Sequence, residues 1–178
     1  MALINTTTTG ILGTVINGDG QGALTVQQDG VTINKITVAP AFSAVRGGST
    51  QSVSATTHTK IQFNVEEFDT NSNYDNTTNY RFTPTVAGYY QVNIGIYSTT
   101  STAANFYAYI YKNGSTFKTI TNIPTGGGGT SCMLNGSALV YCNGTTDYLE
   151  GYYYVTQTAT VTADAAYNYF QASLVRAA

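Results

Sequence analysis

The sequence is poor in charged residues. Only 9% of its 178 residues are Asp, Glu, Lys or Arg, against about 25% in a typical soluble protein. The seven basic and nine acidic residues form no basic stripe that could neutralise phosphates, so we expect no nucleic-acid partner. Solubility must rest on Thr, Asn, Ser, Gln and Gly, as is common in large assemblies and at extracellular surfaces.

Residues that carry catalysis or bind metals are equally scarce. The single histidine, His58, has no Cys or second His at ligand spacing, so we predict a surface residue rather than a zinc ligand. No nucleophile elbow accompanies it. The carboxylates of Glu66, Glu67, Asp69 and Asp75 lie in a polar loop, where calcium would need about six converging oxygens. We predict no enzyme active site, no cofactor and no metal.

The only two cysteines are Cys132 and Cys142. On one strand they would lie roughly 33 Å apart at ~3.3 Å per residue. If Asn135-Gly136 instead closes a hairpin, Cys132 opposes Leu139 and Cys142 has no partner. Neither arrangement brings the Cα atoms within the roughly 7 Å that a disulfide needs. We therefore expect two free, buried thiols.

Targeting segments are also missing from the sequence. The first residues, MALINTTTTG, have neither the basic nor the apolar region of a secretory signal. No run approaches the roughly 18 apolar residues of a membrane span. We expect synthesis in a cytoplasm and no membrane partner.

What the sequence does have is alternation. In the segment YYQVNIGIY of residues 89–97, Tyr90, Val92, Ile94 and Ile96 fall on one side of an extended chain. The residues between them are mostly polar. A period of two over this length predicts a strand with one buried face.

From Ala41 onward, turns recur every ten or so residues, which predicts an all-β sandwich or jelly roll. Predicted strands are 42–46, 60–64, 80–83, 89–98, 105–112, 116–122, 132–142, 148–156 and 167–176. A hairpin on Asn113-Gly114 would pair Ile110 with Phe117 and Tyr109 with Lys118. A hairpin closed by 143–146 would pair Val140 with Leu149. The glycines of 126–129 predict a mobile loop.

Residues 1–39 differ from the rest in having almost no aromatic residues. Asp29-Gly30 separates the alternating segments LTVQQ and VTINKI, a strong signal for a type I′ hairpin. A lone ribbon is marginal in water, so it must dock on something else. We predict an N-terminal arm of residues 1–39 and a main domain of residues 40–178.

Tyrosines recur on the side of the strands opposite the predicted core. Tyrosine suits surfaces that are apolar but must satisfy a hydroxyl, such as subunit interfaces. We therefore predict burial between protomers, with a solvated aromatic row as the alternative. The predicted trimer-interface residues are Tyr107, Tyr109, Tyr111, Tyr152, Tyr154, Tyr167 and Tyr169.

Six motifs taken together resemble the globular head of the complement C1q and tumour-necrosis-factor superfamily, and they occur in the family's order. They are PAFSAVR (40–46), KIQFN (60–64), NYDNTTNYRFTPTVAGYYQV (73–92), IYKNG (110–114), TTDYLEGYY (145–153) and YFQASLV (169–175). The resemblance implies a ten-strand jelly-roll sandwich that assembles as a homotrimer. It also implies burial of Phe42, Ile61, Phe63, Phe82, Tyr90, Val92, Leu149, Phe170 and Leu174.

Some family features are absent. There is no Gly-X-Y stalk, and the family's Gly-Asp motif keeps Asp147 but has Thr146 in place of its glycine. The segment before the head looks like the N-terminus of structural proteins from tailed bacteriophages. This combination favours a virion protein over an immune ligand.

We therefore expect a trimeric phage decoration, or cement, protein that stabilises the capsid. Its predicted partners are other copies of itself and, through residues 1–39, the major capsid protein or another virion protein. The alternative is a tail-fibre or spike tip that binds a host-surface receptor or glycan.

Overall fold

A computed structural model of the chain describes residues 24–28, 31–36, 39–124 and 130–178. The chain divides into two compact units, Met1–Ala39 and Pro40–Ala178. Every regular element in the described residues is a β-strand, which confirms the predicted all-β class. The roles expected of the two units remain predictions.

The first unit contains a two-stranded ribbon. Strands β1 (Leu24–Gln28) and β2 (Val31–Ile36) pair antiparallel. Gln28 lies opposite Val31, and the register shifts between Val26 and Gln27. These are the two strands that the hairpin signal predicts, while the Asp29-Gly30 turn itself lies outside the described residues.

The second unit consists of thirteen strand segments within the described residues, several of them only two or three residues long. They are β3 (Ala41–Val45), β4 (Gln51–Val53), β5 (Thr59–Lys60), β6 (Val65–Asp69), β7 (Tyr74–Asp75), β8 (Arg81–Phe82), β9 (Gly88–Thr100), β10 (Asn105–Lys112), β11 (Ser115–Pro124), β12 (Ser131–Cys142), β13 (Leu149–Val155), β14 (Ala159–Val161) and β15 (Tyr169–Ala177).

These strands form two sheets. The six-stranded sheet has the order β11-β10-β13-β8-β7, with β5 also paired to β13. The seven-stranded sheet has the order β4-β14-β9-β15-β3-β6, with β12 paired to the other edge of β9. The short strands β4, β6, β7 and β14 are missing from the sequence prediction, because two to five residues carry too little alternation to be recognised.

The core is built from the inward side chains of both sheets. Tyr90, Val92, Ile94 and Ile96 on β9 are fully buried, as their alternation predicts. The aromatic residues pack closely, with the ring of Phe42 stacked on that of Phe82 at 4.5 Å and on that of Tyr74 at 4.7 Å. Of the positions that the resemblance implies are buried, Leu174 is partly buried and the rest are fully so: Phe42, Ile61, Phe63, Phe82, Tyr90, Val92, Leu149 and Phe170.

The Asn113-Gly114 hairpin joins β10 and β11. Both residues have positive φ, 54° and 75°, as a type I′ turn requires. The predicted register is nevertheless wrong beyond the first two pairs. A bulge at Phe117 shifts the partner strand, so that Ile110 pairs with Lys118 and Tyr109 with Thr119.

The second predicted hairpin, between β12 and β13, is wrong. The two strands lie in different sheets, and Val140 pairs with Tyr90 while Leu149 pairs with Lys112. The loop between them crosses from one sheet to the other. It is closed by the Asn143 side chain, whose Oδ1 accepts hydrogen bonds from the backbone N–H groups of 145–147 at 3.0 Å each.

Strand β12 is continuous through Asn135 and Gly136, which lie opposite Gly95 and Ile94 of β9. The alternative hairpin at Asn135-Gly136 is therefore wrong. Cys132 and Cys142 lie near opposite ends of β12, buried and free. The predicted glycine loop of 126–129 lies outside the described residues. Helices that could span a membrane do not occur in the described ranges.

Candidate functional site

The outward side of the six-stranded sheet carries a cluster that we call the tyrosine face. Its members are Tyr107, Tyr109 and Tyr111 of β10, Tyr152 and Tyr154 of β13, and His58. The strand register sets Tyr107 opposite Tyr154 and Tyr109 opposite Tyr152. These side chains point outward because the residues between them, such as Phe106 and Tyr153, are fully buried.

The rings of the tyrosine face contact one another along and across the strands. Tyr111 and Tyr152 stack at 3.8 Å with an interplanar angle of 13°. Tyr107 and Tyr109 have nearly parallel rings at 6.3 Å, and Tyr107 meets Tyr154 edge to face at 5.5 Å. Such contacts fix the rings relative to one another. The face is therefore a preorganised aromatic surface.

His58 reaches this face from the loop before β5. Its ring lies 5.0 Å from that of Tyr109 and 4.9 Å from that of Tyr154. Its Nδ1 is hydrogen-bonded to the Tyr111 hydroxyl at 2.9 Å. The side chain is exposed, as predicted. Its position over the tyrosines was not predictable from sequence, because 53 residues separate it from Tyr111.

Two phenols of the tyrosine face, those of Tyr109 and Tyr152, keep their protons at neutral pH. Burial raises the pKa of Tyr109, and the neighbouring phenols of Tyr107, Tyr111 and Tyr154 raise it further. Burial likewise raises the pKa of Tyr152, with Glu150 adding to the effect. A protonated phenol can both donate and accept a hydrogen bond. At these two positions the face therefore offers neutral polar groups.

One end of the tyrosine face carries an ion pair. Glu150 lies opposite Tyr111 in the register and is 3% exposed. Lys60 of β5 forms an ion pair with it at 2.5 Å and donates a second hydrogen bond to the Asn79 carbonyl at 3.0 Å. Because Lys60 and Glu150 neutralise each other, this pair adds little net charge to the surface.

The outward side of the seven-stranded sheet carries a different cluster, which we call the apolar patch. It consists of Tyr89, Leu139, Tyr141 and Val175, which are 41% to 62% exposed. Tyr89 and Tyr141 face each other across β9 and β12, with ring centroids 5.4 Å apart. Tyr89, Leu139 and Val175 line one concave pocket of about 540 Å³ together with Arg176.

Beside the apolar patch the same sheet is polar but uncharged. Ser137, Asn93 and Gln171 lie in one row across β12, β9 and β15. They line a second concavity of about 350 Å³. None of the outward side chains of β9, β12 and β15 at odd positions 89–99, 131–141 and 169–173 is charged. The centre of this face thus offers amides and hydroxyls.

The seven predicted interface tyrosines divide between the two sheets. Five belong to the tyrosine face, whereas Tyr167 and Tyr169 lie on the seven-stranded side. Tyr169 lies against Gly95, where an added Cβ would come within 2.4 Å of its ring. Tyr167 packs against Tyr97 at 5.3 Å. The apolar patch was missed because its members come from three strands that no sequence pattern links.

The acidic residues of 66–75 are used by the local chain. Asp75 accepts hydrogen bonds from the N–H groups of Thr77, Thr78 and Asn79, and these hold the pKa of its carboxyl far below the ordinary value. Glu67 accepts a bond of 2.6 Å from Ser43. In the part of the chain that the structure describes, no group of three or more His, Cys, Asp or Glu residues could hold a metal ion.

Asp147, the residue retained from the Gly-Asp motif, links the crossing loop to the Asn113 turn. Its carboxylate accepts bonds from Asn113 Nδ2 at 2.7 Å and from the Asn143 N–H at 2.9 Å, and it pairs with Lys112 at 2.9 Å. Burial disfavours its charge, but these partners outweigh burial and lower its pKa. Asp147 is thus a structural anchor rather than part of either surface.

Comparisons with known proteins identify the fold. No protein-family model and no curated protein matches the sequence. Among solved structures, the chain is similar to the globular domain of zebrafish complement 1qA protein, with a TM-score of 0.54 and 15% identity over 79% of this chain and 99% of that one.

Two further similarities point the same way. The Eiger TNF of S. frugiperda matches with a TM-score of 0.52 and 11% identity, over 79% of this chain and 94% of that one. Murine APRIL matches with a TM-score of 0.52 and 8% identity, over 77% and 99%. The expectation that the chain is not an enzyme stays a prediction. At such identities the comparisons show the fold alone, and the chain has a C1q/TNF-like jelly-roll fold.

Proposed function

We propose that the chain is a homotrimeric structural protein of a tailed-phage virion, decorating the capsid and held there by residues 1–39. One observation supports the trimer above others. Of the eight large hydrophobic side chains that are exposed in the described residues, six lie on strands of the seven-stranded sheet. Exposed apolar groups concentrated on one side of a soluble domain are typical of an interaction surface.

A second copy of the chain fits this surface better than a charged partner does. The apolar patch would bury aromatic and aliphatic groups, and the neighbouring row of Ser137, Asn93 and Gln171 would exchange hydrogen bonds without desolvating ions. In an oligomer with closed rotational symmetry, every protomer buries this same surface. The ten-strand, trimeric arrangement implied by the resemblance belongs to this proposal, and the seven-stranded side is our choice of interface.

The N-terminal arm provides the anchor in this proposal. It forms a compact unit of its own with a two-stranded ribbon, and a lone ribbon gains stability by adding to another sheet. Three arms in one trimer would bind together with a combined strength well above that of one arm. Bridging neighbouring capsid subunits would oppose the pressure of packed DNA. The phage origin is supported by the sequence resemblance of this segment alone.

Removal of the arm tests this assignment. Deleting residues 1–39 should leave a folded trimer that no longer sediments with virions or capsids of the phage that encodes the chain. The intact chain, mixed with the same particles, is the control. Retention of the deleted form on the particles would rule out the arm as the anchor.

The second candidate function is that of a tail-fibre or spike tip that binds a host-surface receptor, and the tyrosine face favours it. Copy number separates the two candidates. Quantitative mass spectrometry of purified virions should give hundreds of copies for a decoration protein and a few dozen or fewer for a fibre tip.

A further inference from the structure

We infer that the tyrosine face is a binding site for a neutral oligosaccharide of hexose or N-acetylhexosamine units. This inference rests on the second candidate function, that of a receptor-binding module, and it gives that function a site and a ligand class. It requires neither a virion origin nor any particular copy number.

The geometry of the rings suits a short oligosaccharide. Tyr107 and Tyr111 are four residues apart on β10, so the face runs for about 13 Å along the strand, enough for about two or three linked sugar rings. The ring contacts already described hold Tyr107, Tyr109 and Tyr154 in place. The apolar C–H faces of pyranose rings pack against aromatic rings, and a preorganised platform loses little entropy on binding.

The tyrosine face also has unused hydrogen-bonding capacity. Within the part of the chain that the structure describes, the phenol oxygens of Tyr107, Tyr109, Tyr152 and Tyr154 have no protein partner, whereas those of Tyr111, Tyr90 and Tyr153 do. A row of half-buried phenols beside ring faces is the pairing that a sugar needs, because each pyranose presents C–H groups on its faces and hydroxyls around its edge. Asn122 and Thr119 of β11 lie opposite Tyr107 and Tyr109 and border the row with further neutral polar groups.

The charges around the face favour a neutral ligand. Lys60 and Glu150, at one end, form an ion pair at 2.5 Å. Among the described residues, Arg81 lies over the Tyr148 ring and Lys118 over the Phe117 ring, so these two cations contact rings outside the tyrosine face. A sialic acid carboxylate or a sulfate would need a cation among the rings. The site therefore favours neutral sugars over acidic ones.

A second copy of the chain is a poorer occupant of this face. The four tyrosines whose phenol oxygens have no protein partner are partly buried, and none of them is among the large exposed hydrophobic residues, which concentrate on the other sheet. A protein partner would gain little apolar burial here. A small polar ligand gains its affinity from ring stacking and hydrogen bonds rather than from apolar burial, so partly buried rings suit it better.

The intact chain should be tested on an array of neutral di- to tetrasaccharides of glucose, galactose, mannose and N-acetylglucosamine, with sialylated and sulfated forms included. Hits should then be titrated by saturation-transfer NMR. We expect binding to neutral members, with transfer to tyrosine ring protons. Tyr109→Ala and Tyr154→Ala should each weaken binding at least tenfold, while Tyr109→Phe, which keeps the ring, should weaken it less.

All variants are compared by NMR with soluble oligosaccharide, a measurement that does not depend on the oligomeric state. Tyr141→Ala, on the opposite sheet, is the matched control and should bind soluble oligosaccharide as the original chain does. Thermal unfolding of each variant separates a lost contact from a lost fold. The inference is overturned if the array shows no neutral ligand, if only acidic sugars bind, or if Tyr109→Ala and Tyr141→Ala weaken binding equally. It is also overturned if Tyr109→Ala dissociates the oligomer, since the face would then be an interface between copies. Copy number and particle binding are measured in separate experiments, so a negative result in either would not contradict the glycan site.

Discussion

Replacing Leu139 by aspartate should dissociate the proposed trimer. Leu139 lies in the apolar patch and is 54% exposed in the single chain. If the patch is the interface, the mutation removes an apolar contact and forces a carboxylate out of water, where Arg176 of the same pocket can offset only part of the cost. The same change in a monomer would be close to neutral for folding, because an exposed position tolerates a charge.

The size of the effect follows from the exposure. Burying a whole leucine side chain contributes about 2 kcal/mol, so the exposed half contributes about 1 kcal/mol per protomer. Desolvating a carboxylate costs about 3 kcal/mol in each protomer, of which attraction to Arg176 in the same pocket offsets about 1 kcal/mol. The sum is about 3 kcal/mol per protomer, or about 9 kcal/mol per trimer. At about 1.4 kcal/mol per factor of ten, this change exceeds six orders of magnitude in the association constant.

Size-exclusion chromatography with light scattering measures the outcome directly. The original chain should have three times the 18.9 kDa mass of one protomer, and Leu139→Asp should have that mass once. Tyr109→Asp is the matched control on the opposite sheet and should remain a trimer. The interface predicted from the tyrosines requires the reverse result. The reasoning fails if Leu139→Asp stays trimeric, if Tyr109→Asp dissociates, or if the original chain is a monomer.

Three further predictions concern stability. The pKa of Asp147 is lowered in the folded state, so its ionised carboxylate stabilises the fold above the unfolded pKa of about 3.9, and this stabilisation is lost as the pH falls through the folded pKa. Asp147→Asn should therefore reduce the fall in the free energy of unfolding at acid pH, measured by urea titration. Lys60→Ala should cost about 3 kcal/mol, since it leaves Glu150 buried without its cation. Gly95→Ala should cost about 1–3 kcal/mol, since its Cβ would meet the Tyr169 ring.

Each of these predictions has its own control. If Asp147→Asn leaves the pH dependence of the free energy of unfolding unchanged, other carboxylates must cause the loss of stability at acid pH. Adding Glu150→Gln to Lys60→Ala should restore part of the loss, and an additive double variant would argue against a coupled pair. Adding Tyr169→Ala to Gly95→Ala should relieve the overlap, and equal stability of the single and double variants would place the strain elsewhere.

Local alternation was sufficient to predict the long strands. In β10 the buried residues Phe106, Ala108 and Ile110 alternate with tyrosines, so both the strand and its inward side could be read from the sequence. The Asn113-Gly114 turn was equally clear, because few residue pairs accept two positive φ values. The bulge at Phe117 left no such signal, because one extra residue in a mostly polar strand barely changes its alternation of apolar and polar residues.

Pairing between distant strands was not predictable in the same way. The loop of 143–146 has the length and composition of a hairpin connection, yet its strands lie in different sheets. Asp147 supplies the physical reason, because its bonds to Asn113 and Lys112 fasten the loop end to another turn. Such a tie joins residues over 30 positions apart. The two candidate surfaces depend on similar long-range pairings, which is why the sequence predicted the five tyrosines of the tyrosine face but no member of the apolar patch.

The two proposed surfaces lie on opposite sides of one core, and this permits a prediction that joins them. If the seven-stranded sheets meet at the three-fold axis, the three tyrosine faces point away from it and remain open to a glycan-covered surface. A single shallow platform binds weakly, but three on one trimer gain about 10²-fold or more in apparent affinity for a dense array. Leu139→Asp should therefore lose array binding by about that factor while its affinity for soluble oligosaccharide, measured by NMR, stays unchanged. Equal loss in both assays would mean that the substitution damages the glycan site itself. Full retention on the array would mean that trivalency contributes nothing, and the tyrosine face would then have to bind its ligand strongly as a single site.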